Sequence, residues 1–519
     1  MDPLDVAERF APGAQYLAGQ LRTGTSGRRH TVVDPATGEP VCGYELAGVE
    51  DVEDAVAAAR RARPQWAAAT PGERAAVLQR LAGLLAEQAD DLAYTESLQT
   101  GKPLTFSQQF DVVDALDDVA FVAGSARHLP GAAAAEYDAV HTSYVRREPV
   151  GVVALLAPWN YPLRMAVRKA LPAVATGNTV VLKPSELTPL TALMLAQAAT
   201  AAGLPDGVLN VVSGTGGQAG EHLVGHPDVA MVSYTGSADA GRRVARIATG
   251  GSGVGVKRLD LELGGKAPFL VFDDADLEAA VHGAVAAALV NAGQDRAAAT
   301  RAYVQRPLFD AFVAGVADLM DSVRLGDPFE AGTDLGPLIS VAHRERVAGC
   351  VDRMRGGATV VTGGEAPDFA STGALAKGAY YRPTLLTGVA RGVETLCAEL
   401  LGPVLAALPF DADEEGLALA NAAPPGPAAS VWSRDVYRTG RATRELMAGR
   451  VWVNDHLPTV SEMPHGVRRD PGPGGDAASS AFERYTRLKH VMYDTTAAAR
   501  KGWHRTVFGA DRFVRSGSS

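Results

Sequence analysis

The chain has 519 residues, 47% of them hydrophobic and 21% charged, which is enough for two or three domains around a sizeable core. Its net charge of −10 argues against a general binder of nucleic acid or membrane surfaces. No apolar run reaches the roughly 18–20 residues a membrane helix needs, and the start Met1-Asp2-Pro3-Leu4-Asp5 lacks a signal peptide's basic and apolar regions. Cys42, Cys350 and Cys397 show no disulfide or metal-ligand spacing, so no metal is expected and a reducing cytoplasm is the expected location.

In chain order, Thr70-Pro71-Gly72-Glu73 reads as a helix start: a capping Thr, Pro in the first turn and Glu three on from Thr. Val77, Leu81, Leu84 and Leu85 then give that helix an apolar face. Residues 130–135 are small and loop-like, and 140–147 alternates like an exposed strand. Residues 151–157 form a buried-strand candidate ending at Pro158. An amphipathic stretch follows over 163–174, then a second strand over 179–182 that ends at Lys183-Pro184. Further strands are expected at 208–212 and 229–233. A second α/β region begins at Leu261, with strands expected at 268–272, 301–304 and 404–408. Residues 344–354 are helical and carry Cys350, while 501–519 read as a solvated tail. Short apolar runs alternating with helical patterns imply βαβ units, a mostly parallel sheet and ligands at the strands' carboxyl ends.

Six segments stand out: Pro158-Trp159-Asn160-Tyr161-Pro162, Lys183-Pro184-Ser185-Glu186, Tyr234-Thr235-Gly236-Ser237, Leu261-Glu262-Leu263-Gly264-Gly265-Lys266, Glu399-Leu400-Leu401-Gly402-Pro403 and Glu462-Met463-Pro464-His465-Gly466. In order and spacing the chain resembles the aldehyde dehydrogenase superfamily, from about Asp34 to about Tyr493. Trp452-Val453-Asn454 with His456, and the 461–465 segment, are most similar to its aminoaldehyde and betaine-aldehyde branch; both His456 and His465 also read as structural. The resemblance implies an α/β fold in parts: a Rossmann-like cofactor domain (1–129 and 148–258), an α/β catalytic domain (259–450), a small β oligomerisation element (130–147 and 486–494) and a tail (495–519). It also implies a homodimer or homotetramer.

That family oxidises aldehydes through a thiolate that attacks the carbonyl, donors for the oxyanion, hydride departure to a nicotinamide, and a base that activates water. The resemblance implies Asn160 as oxyanion donor and Glu262 as general base. It assigns Lys183, Ser185 and Glu186 to the adenosine side of the cofactor, with Trp159 beside them, Gly236, Ser237 and Gly241 to the pyrophosphate turn, and Glu399 to the nicotinamide ribose. A carboxylate at Glu186 repels a 2′-phosphate, so NAD(H) is expected ahead of NADP(H).

The family's nucleophile segment is similar to Asn291-Ala292-Gly293-Gln294-Asp295-Arg296, which puts Arg296 where the catalytic cysteine belongs. A guanidinium stays protonated at pH 7 and is no nucleophile. Loss of a covalent nucleophile costs on the order of 10⁶ in kcat in other enzymes. Arg296 also puts a positive charge near a positive NAD⁺ ring. At about 4–6 Å and an effective dielectric of about 20 the repulsion is roughly 3–4 kcal/mol, so the reduced cofactor is expected to be preferred. Glu262 is the expected counter-ion, poorly placed in such a pair to take a proton. Arginine's bulk is further expected to obstruct the aldehyde's route. Val467-Arg468-Arg469-Asp470-Pro471-Gly472 departs from the family's glycine-rich pattern, and Leu401 stands where Phe is usual. The expected function is a family protein without thiol-dependent aldehyde oxidation. Three alternatives stay open: a redirected NAD(P)H-dependent enzyme for an imine, semialdehyde or carboxylated substrate; a non-catalytic partner subunit; and a single-base variant of a working enzyme.

Overall fold

A seven-stranded sheet dominates the first half of the molecule, whose computed structural model describes residues 3–10, 13–128, 133–250, 255–369, 373–390, 400–423, 426–464 and 479–508. Its central strand, Val152–Leu156, has Thr179–Lys183 and then Leu209–Val212 on one side, and Val229–Gly236 and then Arg258–Leu263 on the other, all parallel. Gln15–Leu17 and Gln20–Arg22 close one edge antiparallel. Every residue of the two central strands Val152–Leu156 and Thr179–Lys183 is buried, which is why 152–156 and 180–182 read as unbroken apolar runs. Because the chain winds in opposite directions from the central strand, the loops after Leu156 and Gly236 part and leave a crevice at the sheet's carboxyl edge.

The expected strand at 229–233 runs three residues further, to Gly236, and Arg258–Leu263 pairs with it. The first sheet therefore extends past residue 258, and the change of sheet falls between Leu263 and Ala267 rather than at 259–261. The second sheet orders Thr359–Thr362, Thr384–Thr387, Val404–Phe410, Ala299–Gln305, Ala267–Val271, Ala428–Trp432 and Arg450–Val453. Its last strand starts at the expected limit, 450, and runs three residues past it. A third, antiparallel sheet joins Ala135–Asp138, His141–Pro149 and Thr486–Asp494. Among the described residues no helix is long and apolar enough to cross a membrane.

Local rules place several helices. Thr70 Oγ1 accepts from the Glu73 N–H at 3.2 Å while the Glu73 carboxylate accepts from the Thr70 N–H at 2.7 Å, so the helix Pro71–Glu87 starts on a complete capping box. Its Val77, Leu78, Leu81 and Leu85 are buried, with Leu84 only half so.

The stretch read as amphipathic is different. The helix Pro162–Ala175 buries all of its residues, including Arg164, Arg168 and Lys169. Its polar face meets other polar groups instead of water. Arg164 pairs with Asp114 at 2.6 Å, Arg168 with Asp118 at 2.6 Å, and Lys169 donates to Ser233 Oγ at 2.9 Å. Ser461 donates to both Asp117 (2.5 Å) and Asp118 (3.0 Å), and Thr459 Oγ1 accepts from Arg164 at 2.7 Å. These bonds tie the helices Val112–Ser125 and Pro162–Ala175 to the 459–461 segment. Removing one partner of a buried pair leaves an uncompensated charge. Asp118→Ala is expected to destabilise the fold by about 3–5 kcal/mol, and Arg168→Met in that background to recover part of the loss. Thermal unfolding of the two variants measures this, and a loss within about 0.5 kcal/mol for Asp118→Ala would contradict it.

Candidate active site

The helix Leu277–Leu289 does not end in a glycine cap but in a strained turn. Asn291, Ala292 and Gly293 follow one another with φ of 49°, 54° and 71°. Left-handed backbone is unfavourable for alanine and is held here by its surroundings. Gly293 has no alternative, since a Cβ at that position would lie 2.2 Å from the Gly402 carbonyl oxygen. The turn reverses the chain so that residues 294–298 lie at the amino edge of the second sheet, facing the carboxyl edge of the first.

Each residue of that segment is pinned. Gln294 Oε1 accepts from the Ile339 N–H at 2.9 Å, and its carbonyl accepts from Asn160 Nδ2 at 2.8 Å. Asn291 Nδ2 donates back to the Asn160 carbonyl at 2.9 Å. Asp295 accepts from the Tyr161 hydroxyl at 2.8 Å and from the Ala297 N–H at 2.6 Å. Burial, then the nearby Asp295 and Asp111, raise the Tyr161 hydroxyl well above its ordinary range, so it acts as a neutral donor. His456 donates from Nε2 to the Ala297 carbonyl at 2.7 Å, with Nδ1 2.9 Å from Ser430 Oγ.

Arg296 points from this segment into the crevice and meets Glu262 at 2.6 Å. Glu262 is fully buried and Arg296 is 19% exposed. Glu262 lies near the end of the strand Arg258–Leu263, in register with Thr235. A second guanidinium, Arg484, stands 4.0 Å from Glu262 and pairs with Asp260. Asp260 in turn accepts from Ser233 Oγ at 2.8 Å, which accepts from Lys169. Two carboxylates thus meet two guanidiniums, Arg296 and Arg484, with Lys169 joined to Asp260 through the Ser233 hydroxyl. Sequence reading missed Arg484 and Asp295. Arg484 lies more than two hundred residues from its partners, as the 224-residue separation from Asp260 shows, and nothing local marks it. Asp295 had a signal, a carboxylate beside an arginine in an otherwise uncharged segment.

The expected catalytic candidates Asn160, Glu262 and Arg296 therefore come together. The cofactor candidates lie along the same edge. Lys183 and Tyr234 flank Leu156 in register, one on each side. Lys183 Nζ is 3.3 Å from the Glu186 carboxylate; burial lowers its proton affinity and Glu186 opposes that. The Ser185 hydroxyl accepts from the Leu187 N–H at 3.3 Å, and Trp159 packs edge-on to His343 at 5.3 Å. Gly236 ends its strand, Ser237 follows and the helix Ala238–Gly250 begins at once, its carbonyl ladder started by Gly241 N–H to Ser237 O at 2.9 Å. A Cβ on Gly241 would meet Leu263 Cδ2 at 2.2 Å, so this glycine sets how closely helix and strand pack. Leu401, with φ of 53°, gives its carbonyl to His343 Nε2 at 2.6 Å. Glu399, Cys397, His465, Gly466 and the 467–472 segment lie outside the described residues. Cys350 is buried on the helix Val341–Met354, and Cys42 sits in the strand Pro40–Glu45 near the amino terminus.

Burial lowers His456 to about 4, below its ordinary 6.5, with the Ala297 carbonyl opposing. An unfolded His456 takes up a proton as the pH falls below about 6.5, whereas the folded one stays neutral until about 4. Its contribution is thus complete above pH 6.5 and is lost progressively towards pH 4, by up to about 3 kcal/mol. Denaturation midpoints across that range are expected to fall less steeply for His456→Gln; identical slopes would contradict the assignment.

Residues 22–491 match the aldehyde dehydrogenase family. Solved structures superpose over almost the full length. PnpE from Pseudomonas sp. WBC-3 is 35% identical, with 95% of this chain and 100% of that one covered and a TM-score of 0.90. Betaine aldehyde dehydrogenase from Staphylococcus aureus, in complex with NAD⁺, is 32% identical over 96% and 98%, with a TM-score of 0.91. The NAD⁺ complex of an aldehyde dehydrogenase from Bacillus cereus is 34% identical over 95% and 99%, with a TM-score of 0.89.

Proposed function

The chain belongs to the aldehyde dehydrogenase family, and from that premise we propose that it binds a nicotinamide cofactor but does not carry out thiol-dependent aldehyde oxidation. One observation carries the reading: the Arg296 guanidinium is paired with the buried Glu262 carboxylate at 2.6 Å. Motif order assigns Arg296 to the nucleophile's position. A guanidinium there forms no covalent bond to a carbonyl carbon. The carboxylate that would activate water is held between Arg296 and Arg484. The side-chain amide of Asn160, expected as the oxyanion donor, gives a hydrogen to the carbonyl of Gln294 at 2.8 Å.

A dinucleotide suits the residues around the crevice. The switch in winding direction, the helix that begins directly after Gly236-Ser237, and the buried Lys183 beside Glu186 supply a phosphate-facing helix end and a hydroxyl-binding pair. When bound, the cofactor supplies a hydride donor or acceptor. Lys183, Ser185 and Glu186 hold its adenosine end, with Trp159 beside them, and Gly236, Ser237 and Gly241 its pyrophosphate. Glu399 is proposed for the nicotinamide ribose on motif grounds alone. The Glu186 carboxylate favours NAD(H) over NADP(H).

The expected preference for NADH is weakened by the pairing. Glu262 offsets most of the Arg296 charge, which brings the penalty on NAD⁺ from roughly 3–4 kcal/mol to about 1 kcal/mol at an effective dielectric of about 20. A second reading, NADH-dependent reduction of an imine, semialdehyde or carboxylated substrate, draws on the arginines grouped around Arg296. The domain division and the use of the third sheet for homodimer or homotetramer assembly are proposals on the same family grounds.

Incubation with NAD⁺ and a panel of aldehydes is expected to yield no NADH, while fluorescence titration gives NADH and NAD⁺ affinities within about tenfold of each other. Steady NADH production by the unaltered protein overturns the reading. Arg296→Cys is expected to give measurable turnover.

A further inference from the structure

Lys257 stands just before the strand Arg258–Leu263, at the amino edge of the first sheet and so at the opposite end from the crevice. Its Nζ donates to the carbonyls of Val224 at 2.7 Å and His226 at 2.6 Å, across the end of the helix Glu221–Gly225. The residue is half-buried and lines a polar cavity of about 460 Å³ together with Val150, Asp228, Val229, Arg258 and Arg487.

The chain has eight lysines. Lys102, Lys169, Lys183 and Lys266 are buried. Lys377 pairs with Glu39 at 3.1 Å, Lys489 with Glu148 at 2.5 Å, and Lys501 with Asp494. Among the described residues, Lys257 is the one lysine that is open to a cavity and has no carboxylate in ion-pair contact. Burial pushes it down to about 8. Its contacts suit the neutral form: an amine has two N–H groups, one for each carbonyl, and keeps a lone pair, whereas an ammonium carries a third N–H. Desolvation and neighbouring cations activate a lysine as a nucleophile. The cavity is cationic. Arg258 and Arg487 line it, Arg487 reaches Glu148 only at 3.7 Å, and the one carboxylate of the lining, Asp228, is paired with Arg60 at 2.9 Å.

We propose that Lys257 is an acylation site whose donor is an acyl phosphate. The Nζ lone pair attacks the acyl carbon, the bond from that carbon to the bridging phosphate oxygen breaks, phosphate leaves with the electron pair, and the nitrogen gives one proton to water. Arg258 and Arg487 supply the positive charge that draws the phosphate group into the cavity. The product amide is uncharged and keeps one N–H, so one of the two carbonyl bonds is given up. This site lies at the opposite sheet edge from the Arg296–Glu262 pair and stands whatever chemistry that pair allows.

The test incubates the full chain with acetyl phosphate from about pH 6.5 to about 9.5 and follows each lysine by peptide mass spectrometry. At about pH 7.5 an amine titrating near 8 is neutral about two hundred times as often as one at the ordinary 10.4, and its weaker basicity takes back part of that advantage. Lys257 is therefore expected to be acetylated at least about tenfold faster than Lys377, the most exposed of the paired lysines. Its rate is expected to level off above about pH 9, where that of Lys377 still climbs. Arg487→Gln, at an exposed position, is expected to slow acetyl phosphate at Lys257 by at least about threefold and to leave the reaction with neutral acetic anhydride unchanged. Three results overturn the proposal: a Lys257 rate no higher than that of Lys377, a Lys257 rate still climbing in proportion to hydroxide at the top of the pH range, or an Arg487→Gln variant that changes both reagents equally or neither.

Discussion

Glu262 has no access to water, and a fully buried carboxylate must be neutralised, hydrogen-bonded or paired. Arg296 meets that need at 2.6 Å, and much of the surrounding structure follows from keeping the two in contact. The strained turn at Asn291–Gly293 delivers the arginine. Asn160, Tyr161, Ile339 and His456 fix the segment that bears it. Arg484, Asp260, Ser233 and Lys169 extend the network behind the carboxylate. Loosening any of these changes the distance between two charges in a low-dielectric setting, where such distances matter most.

The same arrangement separates ancestry from chemistry. In the proposed reading, the positions that motif order assigns to the nucleophile and the base, Arg296 and Glu262, are joined in one ion pair. The crevice around it remains furnished for a dinucleotide, with the helix start after Ser237 and the Lys183–Glu186 pair along one sheet edge.

Much of this was legible in the chain itself. The strand Val152–Leu156 and the centre of Thr179–Lys183, residues 180–182, are apolar because both faces are covered, and that pattern is local. The capping box at Thr70 is equally local. The helix Pro162–Ala175 was not: its charged residues look solvated by period alone, and only distant carboxylates at Asp114 and Asp118 make burial possible. The strand Arg258–Leu263 was likewise misassigned to the second region, since nothing in its sequence says which sheet it joins. At the site, Asn160, Glu262 and Arg296 were identifiable from motif order. Arg484 acts through contacts with segments far away in sequence and leaves no motif.

The central claim is that Arg296 and Glu262 act as one unit. A double-mutant cycle of Arg296→Met and Glu262→Gln, read by unfolding stability, measures their coupling. The account predicts that the two single losses exceed the loss in the double variant by about 2 kcal/mol or more. Additivity within about 0.5 kcal/mol would contradict it and return Glu262 to the role of an independent base.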